Sequence, residues 1–393
     1  MTASQLYFVS ARNTKWLYSD TLPGKYERLL EAMKFEGYIE EGEWVAIKIH
    51  WGSEGAFRPI RATFVRKTVD RVRAVGGDPF ITETVRIPGL QYLKVANYNG
   101  ISQETCGAPL VLGDGLFGHD TVLVKSGPLM GEVAVASVIK DVSAMVVLSH
   151  FKGHIQAGFG GALKHLSMGG VSSRHCTKRG KGRDGMHGST PDRIKWIKKN
   201  CTFCGACIEV CPRKAASFVL KDGSEIGPGE LANLRPDEVV SLKMDPRKCW
   251  ACGRCARVCD YEALIDPIDP DEFQRRLMEG AKGVLSTFEP KKLIYANFLL
   301  DIQPECDCMP GADVPVVQDL GIMMGDDPVA IDQASLDLCN NSTPLPHSLA
   351  TDLGLKPGSK VLTDLHRPDP QVGLDEAARL GLGSKKYKLN TLD

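Results

Sequence analysis

The stretch AMVVLSHFKGHIQAGFGGALKH, residues 144–165, joins two chemically different halves. Residues 144–148 are a short apolar and β-branched run that reads as a buried strand, so His150 lies just beyond its carboxyl end. In an open α/β sheet, ligands bind along that edge. The second half concentrates glycine and basic side chains: His150, Lys152, His154, Lys164 and His165 alternate with Gly153, Gly158, Gly160 and Gly161. Glycines at 158, 160 and 161 let backbone N–H groups come close to a ligand, and a helix starting at Ala162 would turn its amino end toward an anion. Lys164 would add a full charge, and His150 or His154 would move a proton. The stretch fits neither GxGxxG nor GxxxxGK, so a small carboxylate or phosphate is a better ligand than a nucleotide. The plainer alternative is a tight crossover with solvated side chains.

Working outward, residues 44–49, 79–82, 110–112, 293–298 and 314–317 also read as strands. Residues 63–75 and 132–140 read as helices, the first closed by Gly76 and Gly77. This alternation predicts an α/β fold, a mostly parallel sheet flanked by helices. The segment HWGSEGAFRPIR, residues 50–61, again follows a strand and brings His50, Arg58 and Arg61 toward the same edge. Arg58 is the candidate clamp for a substrate anion, and Arg61 reads as surface charge. Near the other end, Cys306 and Cys308 flank Asp307. In an extended segment residues two apart face one side, so both sulfurs could hold a further metal or act as a dithiol, with buried inert cysteines as the alternative. Asp326 or Asp327, before Pro328, reads as a helix cap, while Asp319 and Asp332 read either as cleft residues or as structural acids.

The chain has 393 residues, 43% of them hydrophobic, enough for two or three domains with ordinary cores. Lys and Arg number 48 and so do Asp and Glu, which removes the electrostatic reason to expect nucleic acid or an acidic membrane as partner. The opening MTASQLYFVSARN lacks the features of a signal peptide, and apolar runs such as 293–300 are too short to span a bilayer. The expected compartment is the cytoplasm. Thirteen cysteines in a reducing compartment point to metal ligation or redox work. Cys106, Cys176 and Cys339 stand alone and read as buried singletons.

Eight of the others form CTFCGACIEVCP (201–212) and CWACGRCARVCD (249–260), each spaced CxxCxxCxxxC. Two short CxxC turns place three sulfurs on one cubane, while the fourth cysteine is carried to its neighbour. Cys201, Cys204, Cys207 and Cys259 are therefore expected to hold one 4Fe-4S cluster, and Cys249, Cys252, Cys255 and Cys211 the other. Structural zinc uses CxxC pairs separated by a longer loop, which does not describe this pattern.

These motifs resemble the bacterial-type dicluster ferredoxins over about residues 195–267, with Asp260 where proline is frequent in that family. Strand and helix signals resume beyond this segment, so it reads as an insert between a first part of the α/β domain, 1–194, and a second part, 268–393. The stretches HFKGHIQAGFGGALKHLSMGG, PECDCMPGADVPVVQDLGIMMG and DDPVAIDQASLD together resemble the iron-sulfur proteins grouped as domain of unknown function 362. That resemblance implies an α/β domain, two cubanes and redox function, with no agreed substrate. Locally, His154 and Lys164 across GFGGA also resemble a segment of the nickel-pincer lactate racemases, where a histidine moves a proton and a lysine anchors the cofactor. The expectation is an iron-sulfur oxidoreductase that exchanges electrons with a donor or acceptor protein and acts on a small anionic substrate or a further metal. A non-enzymatic electron carrier or adaptor, and a metal-centre assembly protein, remain open beside it.

Overall fold

The computed structural model describes residues 3–172, 183–186, 194–211, 214–245, 248–249, 253–265, 269–309, 311–366 and 368–393. The chain forms two compact units, one from residues 1–186 with 274–393 and one from 187–273.

The first unit is built on an eight-stranded sheet in the order Tyr387–Thr391, Ser4–Ser10, Gly321–Gly325, Leu293–Leu299, Ala144–His150, Trp44–Lys48, Asp78–Glu83 and Leu110–Leu112. Five of its seven neighbouring pairs are parallel, and only Gly321–Gly325 runs against its neighbours. Ala144–His150 is buried at every position, as a central parallel strand covered on both faces must be. On one face, Val45, Ile47, Val146, Leu148 and Phe298 pack with Tyr26 of helix Leu22–Ala32 and Phe64 of helix Ala62–Ala74. The Tyr26 and Phe64 rings meet edge to face at 5.5 Å, a favoured aromatic geometry. Alternate residues point the other way, where Asn297 donates to Asp332 (2.8 Å) and Ser335 (3.0 Å) of helix Pro328–Asn340.

Two expected elements differ. Residues 132–140 are not one helix: Glu132–Ala136 is a strand antiparallel to Thr121–Lys125, and only Ser137–Asp141 is helical. Val133 and Val135 alternate with alanines, and that β-branched pattern prevails over helical spacing. Residues 314–317 form no strand. Asp313 is left-handed (φ 61°) and Pro315 lacks a donor, so the segment makes a turn, and the strand follows at Gly321–Gly325. Gly76 is left-handed (φ 88°) just past helix Ala62–Ala74, as its position suggests. Among the described residues no helix is long and apolar enough to cross a membrane.

In the second unit Ala216–Leu220 pairs with Glu225–Ile226 and Val239–Met244, and Lys195–Trp196 pairs with Leu264–Ile265. Two one-turn helices, Ala206–Glu209 and Arg254–Arg257, each follow a left-handed glycine, Gly205 (φ 76°) and Gly253 (φ 71°). These glycines occupy the same place in the two cysteine motifs, and an L-residue there would be strained.

Asp327 is the residue that caps helix Pro328–Asn340. It accepts from the N–H groups of Val329 and Ala330 (both 2.9 Å), and also from Ser4 Oγ (2.7 Å) and Ser384 N (2.9 Å). It thus ties the helix to both ends of the described chain. Asp327→Ala should lower stability by about 2 kcal/mol, read as a lower urea midpoint, whereas Asp327→Asn should keep the helix cap, lose the bond from Ser384 N and fall between Asp327→Ala and the wild type.

Candidate functional site

The glycine-rich stretch folds as a hairpin, Lys152–His154 against Gly158–Gly160, followed by helix Ala162–Gly170. Gly158 is left-handed (φ 75°) and packed against Pro370, so its freedom serves the turn. At Gly161 a Cβ would collide with the Asp332 carboxylate. That carboxylate already accepts from the N–H groups of Ala162 (2.7 Å) and Leu163 (2.9 Å). The anion at this helix end is therefore the protein's own, which corrects the expectation of a ligand there. Burial pushes Asp332 up to about 6, against the pull of Asn297 and the two N–H donors. Gly160 differs: a Cβ would make ordinary contacts, 3.6 Å from the stems of both Lys152 and Lys164.

Lys164 Nζ donates to Cys306 Sγ at 3.0 Å, and the Cys308 backbone N–H approaches the same sulfur at 3.4 Å. The hydrogen bond from the Cys308 thiol holds Cys306 well below an ordinary thiol, overcoming burial, with Lys164, Lys152 and His154 adding to it. Cys308 moves the opposite way, raised well above its usual value by that same bond, by burial and by the Cys306 charge. The pair thus rests as one thiolate and one thiol. Burial alone would lower Lys164, but the sulfurs and Asp307 outweigh it and raise it. Its charge is answered by Cys306.

Between the sulfurs, the fully buried Asp307 points elsewhere. It accepts from His150 Nδ1 (2.9 Å), Gln303 Nε2 (2.8 Å) and Lys152 Nζ (3.1 Å). Burial opposes its ionisation, yet His150 and Lys152 hold its carboxyl far below the usual carboxylate range. His150 Nε2 in turn donates to the Leu300 carbonyl at 2.8 Å. One ring nitrogen faces the Asp307 carboxylate and the other the Leu300 carbonyl, so His150 is tied on both sides and orients Asp307. His154 Nδ1 accepts from Gln156 N and Ala157 N, both at 3.2 Å. Arg58 donates to Gln303 Oε1 (3.3 Å) and to the Asp313 carbonyl, holding the 300–313 loop where a substrate clamp was expected. Arg61 is exposed and pairs with Asp301 at 2.7 Å. Asp319 is structural, accepting from Asp301 N (2.6 Å).

Beside this lies a group that sequence reasoning missed, apart from His50. Lys48 and Glu83, both buried, pair at 3.2 Å, and Glu83 also meets His50 Nδ1 at 3.2 Å and His165 Nε2 at 3.7 Å. Gly169 makes room, since a Cβ there would strike Lys48 Nζ. The available signal was a charged residue closing each apolar strand, Lys48 after WVAI and Glu83 after PFIT. Ser53 Oγ donates to the Asp307 carbonyl (3.1 Å) and joins the two groups.

In the second unit, Cys207 is pushed up to about 12 by burial and by the nearby sulfurs of Cys201, Cys204 and Cys259. Cys259, from the second motif, thus lies beside the first three cysteines. Ala215 N donates to Cys211 Sγ (3.2 Å) and Ala263 N to Cys259 Sγ (3.3 Å), equivalent bonds four residues past each motif's last cysteine. Cys207 and Cys255 are buried in one apolar cluster, against which Cys201, Cys211 and Cys259 pack. Cys249 is half-buried and Cys204 exposed, while Cys252 and Cys176 lie outside the described residues. Cys106 and Cys339 are buried, and burial raises both thiols.

The profile of one family matches residues 45–337. The chain belongs to the family Domain of unknown function (DUF362). This DUF362 chain is also 35% identical over 75 residues to Ferredoxin-3 of Rhodobacter capsulatus, covering 18% of this chain and 74% of the ferredoxin. It is 27% identical over 105 residues to pyruvate-flavodoxin oxidoreductase of Enterobacter agglomerans, 24% of this chain and 9% of that protein. Among solved structures, the lactate racemase apoprotein from Thermoanaerobacterium thermosaccharolyticum aligns over 75% of this chain and 51% of its own, at 13% identity and a TM-score of 0.31. A Thermotoga maritima protein aligns over 40% and 39%, at 13% identity and 0.27.

Lys164→Ala should remove a charge-assisted bond to the Cys306 thiolate, worth about 1.5 to 3 kcal/mol. The midpoint of Cys306 alkylation by iodoacetamide, followed by peptide mass spectrometry against pH, should rise by about 1 to 2 units, with iron content unchanged.

Proposed function

We propose that the protein is an iron-sulfur oxidoreductase in which two 4Fe-4S clusters exchange electrons with a reaction centre built on Cys306 and Cys308. The single observation that carries this reading is the buried Cys306 sulfur, held by Lys164 at 3.0 Å beside the Cys308 thiol. The likeness to a ferredoxin and to an oxidoreductase supports the electron-transfer half. Cys201, Cys204, Cys207 and Cys259 would hold one cluster, in keeping with the crowding of their sulfurs, and Cys249, Cys252, Cys255 and Cys211 the other. Bound there, the clusters supply single electrons, drawn from or given to a partner redox protein in a reducing compartment such as the cytoplasm.

In the α/β unit the chemistry is that of a dithiol. Two electrons and one proton open a Cys306–Cys308 disulfide, leaving a thiolate on Cys306 and a thiol on Cys308. Lys164 stabilises that thiolate, so Cys306 is the better leaving group. When the disulfide forms, the thiolate charge disappears and Lys164 loses its counter-charge. A small anionic substrate would be bound at that stage, between Lys164 and Lys152 over Gly160. A carrier acting through its clusters alone has no use for this arrangement.

Anaerobically purified protein should contain about eight iron and eight sulfide per chain, as two cubanes require. Cys211→Ser should damage the cluster held by Cys249, Cys252 and Cys255 and spare the other by electron paramagnetic resonance. Zinc in place of iron would end the reading. The dithiol makes its own prediction. Because Cys306 is lowered and Cys308 raised, the reduced pair binds one proton throughout the pH range between them. Its midpoint, from dithiothreitol redox buffers and mass spectrometry of the 306–308 peptide, should fall by about 30 mV per pH unit, half the slope of a two-proton dithiol.

A further inference from the structure

Lys164 also borders a cavity of about 20 Å³ inside the α/β unit. Its wall gathers segments far apart in the chain: Phe159 and Leu163 of the glycine-rich stretch, Leu277 and Met278 of helix Pro270–Leu285, and Leu374 of helix Pro370–Arg379. All five side chains are buried. A water molecule needs about 10 to 15 Å³ of such space, so there is room for one or two carbon atoms and none for a ring. Besides Lys164, two polar side chains reach the wall, and both are bonded within the protein. Asp332 accepts from Ala162 N, Leu163 N and Asn297. Gln274 donates to the Asp369 carbonyl (3.1 Å) and accepts from Gly373 N (3.3 Å). Water would find few partners there, and an apolar cavity that water leaves dry favours an apolar group.

Lys164 belongs both to this wall and to the anion position described above. Its side chain lines the cavity, and its Cδ lies 3.6 Å from where a Gly160 Cβ would stand, the same distance as Lys152 Cε. Among the wall residues Lys164 alone is not buried, which puts the opening of the cavity on its side. A cation at the opening with buried aliphatic side chains behind it suits a small amphipathic acid: the few polar groups fix the orientation and the apolar wall takes the rest. Asp332 sharpens the orientation. Its carboxylate stands on the same wall and repels a second carboxylate from the interior, which leaves the charged end of a ligand to the two lysines.

We infer that the anionic substrate of this site is a short-chain aliphatic carboxylate, its carboxylate held by Lys164 and Lys152 over Gly160 and its hydrocarbon end seated in the cavity behind Lys164. The inference rests on the dithiol reading above, in which the oxidised pair leaves Lys164 without its thiolate partner. The cavity sets the chain length. Each methylene that enters it leaves water and gains about four-fold in affinity, until the space is filled. A longer chain must then push against Leu277, Met278 and Leu374, which are packed and buried. Inorganic phosphate satisfies the lysines and leaves the cavity empty, so it binds as a headgroup without a tail.

The test uses the cluster-loaded full chain, equilibrated anaerobically with oxidised dithiothreitol, and peptide mass spectrometry records the 306–308 disulfide in the same sample. Acetate, propionate, butyrate, hexanoate, phosphate and the uncharged butyramide are titrated by isothermal calorimetry. Affinity should rise about four-fold with each carbon from acetate to butyrate and fall at hexanoate, and phosphate should bind more weakly than butyrate. Butyramide should bind about ten-fold more weakly than butyrate, having no charge for the lysines. Leu277→Ala should enlarge the cavity and move the preference to hexanoate, a gain of binding that a damaged fold cannot produce. The wild-type series decides the matter whether or not that variant folds. A chain that forms the disulfide yet binds acetate as tightly as butyrate would overturn this inference and leave the dithiol intact. A Leu277→Ala chain that folds and keeps the wild-type order of acids would overturn it too. If the wild-type chain formed no reversible 306–308 disulfide, the dithiol reading itself would fall and this inference with it.

Discussion

The organising constraint of the α/β unit is the burial of charge at the carboxyl ends of its parallel strands. Asp307 and Lys48 have no solvent exposure, and Glu83 has 2%. An isolated ion in such a place costs several kcal/mol, so each must be answered by an opposite charge or by hydrogen bonds. Glu83 answers Lys48, while His150, Lys152 and Gln303 answer Asp307, and Lys164 answers Cys306. Much of the surrounding backbone follows from these requirements. Gly169 leaves room for the Lys48 ammonium, Gly161 for Asp332, and Arg58 orients the Gln303 amide that completes the shell of Asp307.

Such a network gives the site rigidity and a fixed distribution of protons. Asp307 holds Lys152 between its own carboxylate and the His150 carbonyl, 2.8 Å away, and keeps one cation beside the sulfurs. Removing one partner from a buried network leaves the others uncompensated, which typically costs 3–5 kcal/mol. Substitutions at Asp307, His150 or Lys152 therefore report on folding as much as on chemistry. Lys164, only half-buried, and His50, whose Nε2 bonds to nothing described, are better places to probe function.

The sequence showed the α/β class through its apolar runs, because central parallel strands such as Ala144–His150 are buried at every position and need no periodicity to be seen. It did not show Ser4–Ser10 or Tyr387–Thr391, which lie toward one side of the sheet and carry polar residues that read equally as loop. Gly321–Gly325 was hidden by its two glycines, which mark loops more often than strands. In the site, residue types at a strand end pointed to one neighbourhood, and there Lys164 meets Cys306. Partnership was not legible. That Arg58 serves Gln303, that Asp332 fills a helix end, and that His150 is held against the Leu300 carbonyl all depend on segments between about 150 and 250 residues apart in the chain. No local pattern encodes which of several candidate partners such a side chain meets.

The Lys164–Cys306 pair also bears on how substrate binding and redox state would be coupled in the proposed couple. In the reduced form the ammonium is neutralised by the thiolate, and an incoming anion must compete with a sulfur 3.0 Å away. In the oxidised form that competitor is covalently consumed, and the half-buried ammonium loses its nearest counter-charge. An anion at this position therefore favours the disulfide, and by linkage the disulfide favours the anion by the same factor. The direction follows from charge balance alone. A ligand that stabilises the oxidised form lowers the potential of the pair, so an anionic substrate would make the reduced pair a stronger electron donor while bound. A neutral ligand of the same size, having no differential interaction with Lys164 in the two forms, would leave the potential where it was.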